Sequence, residues 1–114
     1  MLKFICLVSL IFLTTCNSPD KKSELKSLPT KEQAIQVYEE GLEALERGDY
    51  YFASKKFSEA EILLPQSDWA AKSALMVGYC LYSVNFYDEA ILNLERFTKT
   101  YPASKNLDYV NYLI

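Results

Sequence analysis

The sequence feature that most constrains the fold is an internal repeat with a period of 37 residues. Similar residues recur at this distance along residues 41–102, in the following pairs: Gly41 and Gly78, Gly48 and Asn85, Tyr50 and Tyr87, Ala53 and Ala90, Ala60 and Phe97, Pro65 and Pro102. Self-similarity at a fixed period of about 20–50 residues is typical of stacked structural repeats. The spacing therefore predicts an array of similar units rather than a fold without internal symmetry.

Each unit has the sequence pattern of two helices. Apolar residues recur at helical spacing after Thr30, which forms a possible capping box with Gln33. Gly48 can adopt the left-handed conformation that ends a helix, and Pro65 cannot continue one. We predict helices over 30–47, 49–64, 67–84 and 87–101, and a fifth that opens near Ser104 and continues to the last residue.

The repeated pattern resembles the tetratricopeptide repeat. It has a small residue in the first helix, Gly-Asp-Tyr at the turn, Ala and then a large apolar residue in the second helix, and a closing Pro. The resemblance implies an all-α helical solenoid with repeats at 30–66 and 67–103 and the start of a third at 104–114; the alternative is an unrelated four-helix bundle. We expect the repeats to pack through Gly41, Ala53, Phe57, Ala60, Pro65, Gly78, Ala90, Leu94, Phe97 and Pro102.

The first residues have the pattern of an export signal. One lysine precedes the apolar stretch FICLVSLIFL, which is shorter than the roughly 20 residues of a membrane-spanning helix. The next residues, Leu-Thr-Thr-Cys, resemble a bacterial lipobox. We therefore expect a signal peptide at 1–15, a fatty-acylated Cys16 and a polar tether at 16–29; the alternative is a chance cysteine after a short apolar helix. By resemblance to bacterial sorting rules, Asn17 favours the outer membrane.

Longer segments narrow the resemblance to one family. The segments YEEGLEALERGDY, ALMVGYCLY, YDEAILNLERFTKTYPAS and NLDYVNYLI resemble BamD, the lipoprotein subunit of the outer-membrane β-barrel assembly machinery. This resemblance implies a lipid-anchored scaffold on the periplasmic face of the outer membrane of a Gram-negative bacterium. Its implied partners are BamA, other subunits of the machinery and unfolded outer-membrane proteins. Members of the family are longer, so we expect this chain to be an N-terminal part.

The helical repeats predict where partners bind. Stacked helix pairs leave a concave surface lined by the first helix of each pair. Tyrosine suits recognition there, because its ring is large and loses little conformational entropy. We expect the partner-binding groove to be formed by Tyr38, Leu42, Leu45, Lys72, Leu75, Tyr79, Tyr82, Tyr109 and Tyr112. An alternative function is that of another periplasmic repeat lipoprotein, one that coordinates cell division or cell-wall synthesis.

Other functional classes lack sequence support. The chain has no histidine, the commonest general base and metal ligand, and its four glutamates at 39, 40, 43 and 46 have the spacing of a solvated helix face. We therefore expect no enzyme activity, metal or cofactor. A net charge of −3 without a basic patch argues against nucleic-acid binding. Cys80, within a helical segment, is expected to be a small buried hydrophobe.

Overall fold

The computed structural model describes residues 30–114, and all the regular structure in this part of the chain is helical. The five helices are α1 (Thr30–Glu46), α2 (Tyr50–Leu63), α3 (Asp68–Ser83), α4 (Tyr87–Thr100) and α5 (Leu107–Leu113). Neighbouring helices pack on one another in chain order. The predicted all-α repeat architecture is confirmed. The predicted signal peptide, Cys16 and the tether at 16–29 lie outside the described residues.

The 37-residue period of the sequence is also the period of the structure. Helices α2 and α4 begin and end at positions separated by this distance. The turns before them are equivalent too, because Gly48 and Asn85 both have positive φ, 76° and 65°. The N–H of Gly48 donates to the Leu45 carbonyl at 2.9 Å, and the N–H of Asn85 donates to the Tyr82 carbonyl at 3.0 Å. The two helix pairs are therefore copies of one supersecondary unit.

Two of the helices, α2 and α3, begin at capping side chains. Asp49 caps α2 by accepting the N–H of Phe52 at 3.1 Å, and Ser67 caps α3 by accepting the N–H of Ala70 at 3.0 Å. The fifth helix begins at Leu107, three residues later than predicted. Ser104 instead forms a turn: its carbonyl accepts the N–H of Leu107 at 3.0 Å.

Two apolar clusters form the core. The first lies between α1, α2 and α3 around the fully buried Phe57, and the second lies between α3, α4 and α5 around the fully buried Phe97. The repeated glycines allow close helix packing, since a Cβ on Gly41 would lie 2.8 Å from the Phe57 ring and one on Gly78 would lie 3.0 Å from Leu94. Eight of the ten residues assigned to repeat packing are buried.

The two prolines of that set have a different role. Pro65 and Pro102 are exposed and do not pack in the core. Each follows the residue that caps the end of a helix, Leu64 for α2 and Tyr101 for α4. Proline cannot continue a helix, so these residues define where α2 and α4 stop.

A polar cluster joins the second helices of the two repeats. The Arg96 guanidinium on α4 donates two hydrogen bonds, at 2.7 and 2.9 Å, to the carboxylate of Glu61 on α2. The Tyr101 hydroxyl donates to the same carboxylate at 2.6 Å. Burial and this hydrogen bond hold the pKa of Tyr101 well above its usual value. Three charge-assisted hydrogen bonds to one carboxylate thus fix α4 relative to α2.

Candidate functional site

An open, largely apolar groove of about 890 Å³ lies between α3, α4 and α5. We call it the tyrosine groove because four of its residues on α3 and α5 are tyrosines. It is lined by Leu75, Met76, Gly78, Tyr79, Tyr82, Tyr87, Ala90, Ile91, Leu94, Tyr109, Tyr112 and Leu113.

The tyrosines stand at the rim and small or aliphatic residues form the floor. Tyr79 is 52% exposed and Tyr112 is 85% exposed, whereas Ala90 and Leu94 beneath them are buried. Residues three and four apart on a helix share one face, which brings Tyr87, Ala90, Ile91 and Leu94 of α4 to the groove together. A ligand in the groove would meet an apolar floor and aromatic walls that carry hydroxyl groups.

One wall of the groove is held in place by local contacts. The ring of Tyr82, near the end of α3, meets the ring of Tyr87 edge-on at a centroid distance of 5.2 Å. The Tyr87 hydroxyl donates to the Asn85 side-chain oxygen at 2.7 Å. The left-handed conformation of Asn85 brings α3 and α4 back together at this point. The turn that defines the repeat therefore also positions two of the groove tyrosines.

The groove brings together five of the nine residues predicted for partner binding. These five are Leu75, Tyr79 and Tyr82 from α3 and Tyr109 and Tyr112 from α5. The expected placement of Tyr38 on an exposed surface is wrong. Tyr38 is only 3% exposed. Its ring centroid lies 5.0 Å from that of Phe57 and 5.4 Å from that of Trp69. Burial raises the pKa of its hydroxyl.

The other three predicted residues also lie away from the groove lining. Leu42 is exposed on α1, and Leu45 is half-buried against the first core cluster. The Lys72 ammonium lies over the rings of Tyr38 and Trp69, at 5.1 and 5.4 Å from their centroids. Helix α3 packs on the surface of α1 that was expected to be open. The groove therefore does not extend to the first repeat.

Sequence reasoning missed the contribution of α4. It assumed that only the first helix of each pair lines the concave surface, but Tyr87, Ala90, Ile91 and Leu94 all come from a second helix. Three further lining residues were also missed: Met76, Gly78 and Leu113. A signal was available for Tyr87, because it pairs with Tyr50 in the repeat and follows a turn.

Other reactive and charged side chains lie outside the tyrosine groove. Cys80 is fully buried, as expected, and burial raises the pKa of its thiol to about 11. Of the four glutamates expected on a solvated face, Glu40 instead pairs with Lys56 on α2 at 2.8 Å. A second, smaller pocket of about 260 Å³ lies between the start of α3 and the turn before α5, and it includes Lys72 and Lys105.

Two kinds of site are absent from residues 30–114. No cluster of three or more acidic, cysteine or histidine side chains there is arranged to hold a metal ion. No helix within the same range has the length and apolar character needed to cross a bilayer.

Comparison with known proteins gives consistent matches. Residues 30–114 match the family model described as YfiO, outer membrane lipoprotein. Outer membrane protein assembly factor BamD of Caulobacter vibrioides is 36% identical over 93 residues, which cover 81% of this chain and 30% of that protein. The BamD protein of Neisseria gonorrhoeae is 30% identical over 118 residues, covering 99% of this chain and 43% of that protein. The BamD protein of Pasteurella multocida is 28% identical over 101 residues, covering 89% of this chain and 36% of that protein.

The matched relatives are considerably longer than this chain, which spans between 30% and 43% of the length of these three. No solved structure matches the chain.

Proposed function

Because the chain belongs to the YfiO family of outer membrane lipoproteins, we propose that it is a non-catalytic scaffold in the assembly of outer-membrane proteins. Its relatives across several genera are named as assembly factors of this kind. The observation that carries the proposal is the tyrosine groove, an open apolar surface in a chain that matches this family over all of its described residues.

The groove has the chemistry of a protein-binding surface. Isolated apolar residues on a surface are ordinary, but a contiguous concave patch with aromatic walls is typical of recognition sites. Tyrosine is enriched at such interfaces because its ring gives a large contact area while its hydroxyl tolerates water. The partners we propose are BamA, other subunits of the assembly machinery, and unfolded outer-membrane proteins.

The proposal includes membrane attachment through the N-terminal segment. Acylation of Cys16 would anchor the chain at the periplasmic face of the outer membrane, since two or more acyl chains bind a bilayer far more firmly than one. Residues 1–15 would be removed as a signal peptide and residues 16–29 would connect the anchor to the repeats. The repeat units at 30–66 and 67–103 and the start of a third at 104–114 complete the proposed organisation.

Co-purification tests this function. The full chain would be isolated from detergent-solubilised envelopes of its own bacterium together with two variants, Ile91→Asp and Leu92→Asp. Ile91 lines the groove, whereas its neighbour Leu92 is exposed outside the groove lining. We expect the wild type and Leu92→Asp to recover subunits of the barrel-assembly machinery and outer-membrane proteins, and Ile91→Asp to lose most of them.

Two results would contradict the proposal. Recovery of division or cell-wall proteins in place of assembly components would favour the alternative function. Equal recovery of these proteins by both variants would show that the groove does not bind them. A Cys16→Ser variant tests the anchor separately, because it should release the chain from the membrane fraction without changing the groove.

A further inference from the structure

The smaller pocket, between the start of α3 and the turn before α5, has the composition of a site for an anion. We call it the lysine pocket. It measures about 260 Å³, and its charged lining residues are Lys72, Lys105 and Asp68. Trp69 and Asn106 line it beside them. Positive charge is therefore in excess in this pocket, although the whole chain has a net charge of −3.

The packing of the repeats does not account for the polar residues of the lysine pocket. Three of them differ in charge, polarity or size from their counterparts 37 positions earlier: Lys72 from Ile35, Lys105 from Asp68, and Asn106 from Trp69. Residues that hold the helices together keep their character at this offset, as the buried Ala53 and Ala90 do. The polar residues of the pocket are thus additions to the repeat pattern.

Both lysines are available to a ligand. The Lys72 ammonium lies over the rings of Tyr38 and Trp69, which attract a cation without using its hydrogen-bond donors as a carboxylate would. Lys105 is exposed, and within residues 30–114 neither lysine forms an ion pair with a carboxylate. Asp68 offsets one of the two positive charges. The pocket therefore suits a group with a single negative charge.

The lysine pocket lies at the end of the array to which the proposed membrane tether is joined. Glu61 near the end of α2 contacts Arg96 and Tyr101 near the end of α4, so these helices run in the same direction. Short turns reverse the chain between helices, which places the starts of α1, α3 and α5 together at this end. Residues 17–29 join it to Cys16, so an acylated Cys16 would hold the start of α1 within about 50 Å of the bilayer.

The opposite end of the array is acidic. Within one helical turn of the α1–α2 and α3–α4 turns, the charged side chains are all exposed and comprise Glu43, Glu46, Arg47, Asp49, Asp88 and Glu89. An anionic bilayer repels such a surface at distances up to the Debye length, about 8–10 Å. The distribution of charge therefore favours an orientation in which the lysine pocket faces an anionic membrane.

From this placement we infer that the lysine pocket binds the phosphate headgroup of an anionic phospholipid. Lys72 and Lys105 would donate to its phosphate oxygens, and the ring of Trp69 is of the kind enriched at membrane interfaces. The volume suits a headgroup, since pockets for larger ligands begin at roughly 300 Å³. The inference goes beyond the scaffold function but rests on its anchoring part, because an anchored chain meets headgroups at a high effective concentration.

The fluorescence of Trp69 tests the inference, because it is the one tryptophan of the sequence and lines the pocket. The full chain in nonionic detergent micelles would be titrated separately with phosphatidylglycerol, phosphatidylcholine, inorganic phosphate and tri-alanine. These probes represent an anionic lipid, a lipid without net charge, a free anion and a peptide carboxylate. The variants are Lys105→Gln in the pocket and Lys99→Gln, an exposed lysine on α4 outside the pocket lining. Circular dichroism confirms that both keep their helix content.

We expect phosphatidylglycerol to change the fluorescence at a half-saturating concentration at least about tenfold lower than phosphatidylcholine. Lys105→Gln should raise that concentration roughly tenfold, because a hydrogen bond between charged groups is lost. Lys99→Gln should change it less than about twofold, since an exposed charge outside the pocket contributes little.

Equal responses to the two lipids, or equal effects of the two variants, would overturn the inference. A response to inorganic phosphate as strong as that to phosphatidylglycerol would assign the pocket to a free anion, and a stronger response to tri-alanine would assign it to a peptide terminus. Either result would overturn the lipid inference. The scaffold function would stand in each case, because co-purification with Ile91→Asp and Leu92→Asp tests it at a different surface.

Discussion

Adding one methyl group at Gly41 should destabilise the protein through its contact with Phe57. The new Cβ would lie 2.8 Å from the nearest carbon of the Phe57 ring and 3.0 Å from two others. Carbon atoms in contact prefer about 3.5–4.0 Å, so the ring would have to move by roughly 0.5–1 Å. Phe57 is fully buried, and overpacking of this kind costs about 1–3 kcal/mol. The higher helix propensity of Ala relative to Gly stabilises the protein by only about 1 kcal/mol.

The net expectation for Gly41→Ala is a loss of about 1 kcal/mol in the free energy of unfolding. The second repeat provides an internal comparison, since the nearest atom to Gly78 is the end of the flexible Leu94 side chain at 3.0 Å. Gly78→Ala should therefore change stability by less than about 0.5 kcal/mol. Replacing Phe57 by the leucine of the second repeat should relieve the clash at Gly41.

Urea unfolding followed by far-UV circular dichroism measures the four members of a double-mutant cycle: wild type, Gly41→Ala, Phe57→Leu and the double variant. We expect a coupling free energy of about 1 kcal/mol or more, because Gly41→Ala should cost little stability when leucine replaces Phe57. A Gly41→Ala protein as stable as the wild type, or an equal effect of this change with phenylalanine and with leucine at position 57, would contradict the predicted contact.

Four further predictions concern single positions. Gly48→Ala should cost about 1 kcal/mol despite the open space around it, because its φ is 76°, and Gly48→Asn should cost less in the same urea assay. Glu61→Gln should lower stability by about 1–2 kcal/mol, since Arg96 and Tyr101 lose a charged acceptor; unchanged unfolding midpoints would contradict this. Cys80 should react with a thiol reagent only after unfolding, in a chain whose other cysteines are serine; rapid labelling of folded protein would count against its burial. The raised pKa of Tyr101 means that the folded state holds this proton more tightly, so its stabilisation is complete below about pH 10 and is lost above it. Tyr101→Phe should therefore flatten the alkaline loss of stability, as measured by unfolding across that range.

The repeat and its turns could be predicted from the sequence because the signals are local. Gly48 and Asn85 indicate a left-handed backbone conformation that few residues adopt, and Pro65 indicates where a helix must stop. These constraints act within a few residues, and the 37-residue period repeats them. The number and order of the described helices followed from them.

The candidate site was predicted less well because it depends on which helix faces are covered by the next helix pair. Tyr38 and its counterpart Leu75 have the same position within their repeats. Tyr38 is buried by Trp69 on the next helix pair, whereas Leu75 lines an open groove. No local pattern distinguishes the two. The contact of Arg96 with Glu61 was also invisible, since neither residue has a like-charged or matching counterpart 37 positions away.

Site-specific photo-crosslinking in living cells of the source bacterium would show whether the tyrosine groove contacts proteins of outer-membrane assembly. A photoreactive residue would replace Tyr79 in the groove or, as a control, Tyr51, which is 75% exposed on α2 and lies outside the groove lining. We expect crosslinks from position 79 to subunits of the barrel-assembly machinery or to outer-membrane proteins, and few from position 51. Crosslinks to these proteins from position 51 alone, or to none of them from position 79, would contradict it.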